Sequence, residues 1–195
     1  PSQYGSIAKV YVTQDEKLNI SDTNNRLRNP FAINLYTLSF DSNKQLVNTN
    51  PATKENIKSY ISPYRLLTDS VNIKNAFVIN LGLDYEIITL PGFNSNEVLI
   101  TSINAIKSLL HIDKMQINQP IIIADLYTEL ASIMGVQSIV KLEFYNFYDT
   151  LDGYSGNIYD IKQATRDGVL YPSLDPSIFE IKFPDSDIKG RVVSI

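Results

Sequence analysis

The stretch that decides the fold is residues 77–87, FVINLGLDYEI, because its side chains alternate along the whole segment. One set is apolar throughout: Phe77, Ile79, Leu81, Leu83, Tyr85 and Ile87. The other set is mixed: Val78, Asn80, Gly82, Asp84 and Glu86. A period of two residues places the two sets on opposite faces of a strand. We therefore predict a strand with one core face and one mostly solvated face, which favours an antiparallel sheet with helices on one side.

Three helices are predicted around this strand. Upstream, Asn50 can cap a helix whose first residue is Pro51. Its predicted apolar face consists of Ile57, Tyr60, Ile61 and Tyr64. Downstream, Asn94 or Ser95 caps a second helix, for which we predict a buried stripe of Leu99, Ile103, Ile106 and Leu110. Pro120 opens a third helix that runs to Ser132, with Ile122, Leu126 and Leu130 spaced for burial and Gly135 as its stop.

Further strands are predicted at residues 7–13, 33–40 and 136–148, and the polar stretch at 15–30 is predicted to be a surface loop. The fold class is therefore α+β, with a mixed or antiparallel sheet, helices packed on one face and a β-rich extended C-terminal segment. We divide the chain into three parts. Residues 1–66 form a β-rich segment with one helix, 67–148 a β-α-β-α-β unit, and 149–195 the extended C-terminal segment.

Composition excludes several classes of function. The chain has 195 residues, a net charge of −4 and no basic cluster, so nucleic acid is not an expected partner. No apolar run has the length of a membrane span, and a membrane is not an expected partner either. There is no cysteine and one histidine, His111, which removes the usual thiolate and paired-histidine metal sites. We expect no metal, no cofactor and no enzymatic activity.

Two carboxylates offer the one catalytic alternative. Asp84 and Glu86 lie two residues apart on the predicted strand and share a face, as the acids of a glycoside-acting enzyme would. The same spacing is typical of the solvated face of a half-buried strand. The second interpretation is favoured here.

The C-terminal stretch at residues 171–191, YPSLDPSIFEIKFPDSDIKGR, combines three prolines with three aromatic residues. Proline fixes φ and removes a donor, so the segment is predicted to be extended. Within IFEIKF, alternation predicts that Phe179, Ile181 and Phe183 form one apolar face. The candidate interface residues are Tyr171, Pro172, Phe179 and Phe183. The segment either wraps its own domain or lies across another subunit, and both roles are compatible.

Residues 60–87, YISPYRLLTDSVNIKNAFVINLGLDYEI, resemble the sequence pattern of baseplate J-type proteins of contractile phage tails. The similarity continues through NSNEVLITSINAIKSLLHIDKMQINQPI, through DLYTELASIMGVQSIVKLEF and through the terminal YDIKQATRDGVLYPSLDPSIFEIKFPDSDIKGRVV. It covers nearly the whole chain, and the first fifty residues are the least distinctive part. The resemblance implies the C-terminal portion of a larger baseplate wedge protein.

This resemblance implies a structural role in the virion, in a tail baseplate assembled in the cytoplasm of the bacterial host. The implied partners are other copies of the chain, in homodimer contacts within a ring, and neighbouring baseplate wedge proteins. The ring would rearrange when the sheath contracts. No catalytic or cofactor residues come with the family. The alternative from the residues alone is a small-ligand-binding regulatory α+β module.

Overall fold

The computed structural model of the chain describes residues 6–14, 32–64 and 70–193. It has helices and mixed sheets, so the predicted α+β class is confirmed. The chain separates into two compact units, Pro1–Ala76 and Phe77–Ile195. The loop predicted at residues 15–30 lies outside the described residues.

The described residues of unit 1 form a four-stranded sheet and one α-helix. Its strands are β1 (Lys9–Gln14), β2 (Ala32–Phe40), β3 (Leu46–Asn48) and β4 (Ser70–Asn75). The central strand β2 pairs antiparallel with β1 and β3 and parallel with β4. The buried apolar side chains of this unit are Tyr36, Leu38, Leu46 and Ala76.

Helix α1 (Pro51–Ile61) begins as the sequence predicts, and a 3₁₀ turn (Ser62–Tyr64) follows it. The Asn50 side chain accepts a hydrogen bond from the backbone N–H of Ala52 at 2.9 Å. No residue of the helix is buried, and of its predicted apolar face Ile57 and Ile61 are half-buried and Tyr60 is exposed. The face that approaches β4 instead carries Lys54 and Lys58.

Unit 2 contains the remaining strands and helices. Its strands are β5 (Phe77–Thr89), β6 (Ile121–Ile122), β7 (Val136–Phe147), β8 (Thr165–Arg166), β9 (Val169–Leu170), β10 (Ser177–Glu180) and β11 (Ile188–Val192). Its helices are α2 (Ser95–Leu109), α3 (Ile123–Ser132), α4 (Ile161–Ala164) and α5 (Pro184–Asp187). Helix α3 begins three residues after Pro120, because residues 121–122 pair with β9 as β6.

Strand β5 is the central strand of the main sheet in unit 2. Strand β7 runs antiparallel along one edge of β5. On the other edge, β10 runs parallel to the first half of β5 and β11 runs parallel to its second half. The C-terminal segment therefore completes the sheet that residues 77–89 begin.

Helix α2 covers the apolar face of β5. The Tyr85 hydroxyl lies 2.6 Å from the Ser102 hydroxyl of α2, and a Cβ added at Gly190 of β11 would lie 2.9 Å from Leu99. Burial raises the pKa of Tyr85, because the phenolate would lose its hydration. The buried residues on this face include Ile79, Leu81, Leu83, Tyr85 and Ile87. The predicted core face of the strand is confirmed for these residues.

Two sequence-based expectations need correction. The second face of β5 is not mostly solvated, since Val78, Asn80 and Gly82 are buried and only its later part is half-exposed. The boundaries at 66/67 and 148/149 differ from the structural division, which falls after Ala76. The second face of β5 is covered because the Phe147 ring and residues 154–157 pack over it, and β4 belongs to unit 1 because it pairs with β2.

A small second sheet joins β6, β9 and β8 in that order. Its hairpin turns at Asp167 and Gly168, which have φ of 51° and 75°. Two successive positive φ angles define the primed turn that suits a two-residue hairpin. No helix in the described residues has the length and apolar character needed to cross a bilayer.

Candidate interaction surfaces

The C-terminal segment is ordered and packs into unit 2. Ile178 and Phe179 lie on β10 in register with Val78 and Ile79, and Phe179 is 1% exposed. All four residues of β10 are buried, so the alternation predicted for IFEIKF does not separate a solvent-exposed face from a buried one in this strand. Parallel strands covered on both faces lose that alternation.

A side-chain network holds a second strip of chain against β5. The Asn80 amide donates to the Glu180 carboxylate at 2.8 Å, and its oxygen accepts the backbone N–H of Ser155 at 2.8 Å. The Ser155 hydroxyl and the Asn157 amide both donate to the Val78 carbonyl. Residues 154–157 thereby cover the face of β5 that alternation had assigned to solvent.

Aromatic side chains extend this cover. The Phe147 ring stacks on Tyr154 with centroids 5.1 Å apart, and Phe183 meets Tyr154 edge-on at 5.6 Å. The Tyr154 hydroxyl donates to the buried Asp187 carboxylate at 2.8 Å. Burial first, and then this carboxylate, raise the pKa of Tyr154 well above its usual range.

The four predicted interface residues differ in how much surface they present. Phe179 is buried in its own unit and Pro172 is half-buried. Tyr171 is 47% exposed and Phe183 is 36% exposed, so each keeps part of its ring accessible. Leu174, four residues before Ile178, is fully exposed and was missed by the sequence analysis. Phe183 and the segment from Tyr171 to Leu174, here called the Tyr171–Leu174 corner, therefore each keep apolar surface that a partner could contact.

A second apolar surface, here called the apolar tip, consists of Leu90, Phe93 and Met134. Leu90 donates its backbone N–H to the Gly135 carbonyl at 2.8 Å, which joins the β5–α2 turn to the α3–β7 turn. A Cβ added at Gly135 would lie 2.8 Å from the Phe93 ring, so the ring packs directly on this glycine. All three tip side chains are exposed, and Met134 is 81% exposed.

The sequence contained a signal for the apolar tip that the analysis did not use. Each tip residue belongs to a turn or directly adjoins one, next to Gly92 or Gly135. Turn residues are usually polar, and large apolar residues at such positions expose surface that a fold does not need for its own core.

In unit 1, the aromatic side of helix α1 is exposed. The Tyr60 and Tyr64 rings lie 5.6 Å apart, and Tyr64 is 77% exposed. With Asn56, Ser59 and Pro63 they line a shallow groove of about 440 Å³. Tyr60 and Tyr64 belong to the apolar face that the sequence predicts for this helix.

Asp84 and Glu86 lie among charged side chains of both flanking strands, of which one, Glu143 in register with Asp84, carries the same charge. Across β11, Asp84 is in register with Lys189 and Glu86 with Arg191, whose Nε lies 3.6 Å from Glu86 Oε1. Across β7, Glu86 is in register with Lys141. Such cross-strand pairing is what a solvated face of a sheet provides, so the geometry favours the structural interpretation of both carboxylates.

The described residues contain no cluster of three or more His, Asp or Glu side chains arranged to hold a metal ion. His111 lies just beyond the end of α2, with its Nδ1 3.4 Å from an Asp113 carboxylate oxygen. In unit 2, a cavity lined by β5, by residues 179–181 and by the segment from Leu110 to Ile121 has about 10 Å³. Small-molecule sites are usually of about 300 Å³ or more, so this cavity does not favour the ligand-binding alternative.

No protein-family model matches the chain, and no curated protein matches it.

Proposed function

We propose that this chain is a structural subunit of a contractile phage-tail baseplate and acts by protein–protein association. In particular, we propose that it is the C-terminal portion of the T4-type baseplate wedge subunit. The sequence resemblance within residues 60–193 supports the family, and the surface of the molecule supports association. Copies of the chain would contact one another in the ring, beside neighbouring wedge proteins.

The observation that carries this proposal is the amount of large apolar side chain left exposed in unit 2. Leu174 is fully exposed and Met134 is 81% exposed, although the same unit buries apolar side chains on both faces of β10. Soluble monomers rarely leave adjoining apolar side chains in water, and such patches mark interaction sites. The apolar tip fits this description, because Leu90 through its backbone, Phe93 through its ring and Met134 as the preceding residue all lie beside Gly135.

The ordered C-terminal segment suits a subunit that must transmit force. Its strands β10 and β11 are tied into the main sheet by parallel pairing, and the Asn80 network fixes the strip above them. A segment held in this way presents the Tyr171–Leu174 corner and Phe183 on a rigid base. Rigid presentation lowers the entropy that a contact loses on forming.

Immunogold electron microscopy tests the proposed location. Antibodies raised against this chain are applied to intact contractile-tailed particles whose genome encodes it. We expect gold at the end of the tail distal to the head, where the baseplate lies. Gold at the head or along the sheath, or particles without label beside a positive control for the sheath, would refute the proposal.

A further inference from the structure

We propose that the groove between helix α1 and the outer edge of β4 binds an extended, acidic segment of another protein by strand addition. The inference concerns unit 1 alone. It does not depend on the baseplate proposal, since the groove could bind such a segment in any assembly.

The groove runs along the edge of a strand. It has about 350 Å³, and one wall is residues 71–74 of β4. Side chains that alternate in this stretch belong to opposite faces of the sheet, yet all four residues line the groove. The groove therefore follows the edge of β4 and not either face.

That edge is open to pairing within the described part of the chain. There, β4 pairs with β2 and with no other strand. An edge strand presents unpaired backbone N–H and C=O groups, which a partner strand can satisfy. Four residues of strand span about 13 Å, so the groove accommodates about four residues of an added strand.

The opposite wall gives the groove its charge. Pro51, Lys54, Glu55 and Lys58 follow the i, i+3, i+4, i+7 spacing of one helix face, and all four line the groove. Lys74 of β4 adds a third lysine to the lining. Three lysines against one glutamate make a positive groove in a chain whose net charge is −4.

This charge decides the class of partner. Among the described residues, neither Lys54 nor Lys58 forms an ion pair with a carboxylate, and Lys58 is exposed and Lys54 half-exposed. A helix wall of lysines disfavours an apolar strand, because the strand would bring no counter-charge. A strand that alternates carboxylates with β-branched residues satisfies the edge of β4 and the lysines together.

The long edge strand β7 of unit 2 is a weaker candidate for strand addition. Its pairing with β5 shifts register between Glu86 and Ile87 and again between Ile88 and Thr89. Register shifts of this kind bend an edge strand and protect it from a partner. Strand β4 pairs with β2 without interruption over its six residues.

The test uses a fluorescent eight-residue peptide that alternates Glu with Val, with binding measured by anisotropy at about 50 mM salt. We expect saturable binding to the full chain. The Lys54→Glu/Lys58→Glu variant should weaken it by about tenfold or more, and Lys54→Gln/Lys58→Gln by less. The matched control, Lys114→Glu/Lys162→Glu, makes the same change of net charge on exposed lysines of unit 2 and should bind as the parent does.

A second peptide separates strand addition from charge attraction alone. N-methylation of alternate residues removes backbone donors and keeps every carboxylate, so strand addition predicts loss of binding. Circular dichroism checks that each variant is folded. The proposal is overturned if the acidic peptide does not bind, if the methylated peptide binds equally well, or if the unit 2 control weakens binding as much.

Discussion

At the scale of single residues, Gly82 shows why the second face of β5 is not a solvated one. A Cβ added there would lie 2.2 Å from Cε2 of the Phe147 ring, so the ring lies on the strand where a side chain would be. Phe147 in turn stacks on Tyr154, and residues 154–157 close the cover. The alternating pattern alone could not reveal this, because the covering residues lie some 70 positions downstream.

The first prediction follows from that contact. Gly82→Ala should destabilise the protein by about 1–3 kcal/mol, because the added methyl group overpacks a filled site. In a Phe147→Leu background the same change should cost less, since leucine lacks the outer ring atoms that clash. Urea unfolding of the two single variants and the double variant gives the interaction free energy between positions 82 and 147. Equal costs in both backgrounds would show that Phe147 is not the obstacle.

Tyr154 gives a prediction for alkaline pH. Its pKa in the folded chain is raised above the value of about 10 expected when unfolded. The folded state therefore favours the neutral phenol. Its contribution to the free energy of unfolding is complete below pH 10 and is lost as pH rises toward the folded pKa. At about pH 8, Tyr154→Phe should be less stable than the parent, because the hydrogen bond to Asp187 is gone.

Above pH 10 the parent loses the stabilisation that neutral Tyr154 provides, whereas the phenylalanine variant has no ionisable group at this position. The difference in unfolding free energy between the two proteins should therefore narrow with pH. Denaturant titrations at about pH 8, 9, 10 and 11 measure it. A gap that is constant or widens would contradict the raised pKa.

At the scale of elements, sequence patterns predicted the type of most segments, and the predicted buried side is confirmed for β5 and for Leu126 and Leu130 of α3 but not for every helix. The Asn50–Pro51 start of α1 is confirmed because a cap is a local hydrogen bond. No side of this helix is buried, and Lys54 and Lys58 lie on the side that lines the groove with β4. In α2, the buried residues are Val98, Ser102 and Ile106. Val98 and Ser102 each precede by one position a residue of the predicted stripe, and the Ser102 hydroxyl faces the core, where it hydrogen-bonds Tyr85.

The hairpin β8–β9 supplies a prediction about local conformation. Gly168 has a φ of 75°, and a Cβ added there would have no atom within 4 Å. Alanine would therefore lower stability through the backbone angle and not through a clash. We expect Gly168→Ala to cost about 1–2 kcal/mol. Gly168→Asn should cost less, because asparagine tolerates the left-handed region. Thermal unfolding compares the two, and an equal or larger loss for Asn would contradict the turn assignment.

The C-terminal segment supplies a second prediction at this scale. Phe179→Ser should lower the unfolding free energy by about 3–5 kcal/mol, because the ring is almost fully buried beside β5. Phe183→Ser should cost less than half as much, since its ring is partly exposed and meets Tyr154 by an edge. Thermal unfolding of the monomer at low concentration measures both. A reversed order would mean that β10 is not packed as described.

At the scale of the whole molecule, the segment that the sequence analysis treated as a separate extension is part of the second unit. Burial of Phe179 shows that the C-terminal chain first completes its own fold, and the exposed Tyr171–Leu174 corner leaves room for the second role that the sequence left open. Neither the corner nor the apolar tip could be predicted from periodicity, because both lie in turns and irregular segments.

Two sets of variants separate these surfaces. In the first, Leu90, Phe93 and Met134 of the apolar tip are changed to Ser, and in the second, Tyr171 and Leu174 of the corner. The matched control changes Ile100 and Leu151, which are exposed elsewhere on unit 2. Because all these side chains are exposed, the monomer should remain folded, and circular dichroism verifies this. If the chain associates through one of these apolar surfaces, the first or the second set of changes reduces self-association and the control changes do not.

The measurement that tests association most directly is the molar mass of the chain by light scattering, from about 10 μM to several hundred μM. We predict that the mass rises with concentration from the monomer value of 22.0 kDa towards twice that value, with the contact burying more than roughly 1,000 Å² in total. The tip or the corner variant should lower the mass at the upper concentration. A mass that stays at 22.0 kDa throughout, or one that neither variant changes, would contradict the account.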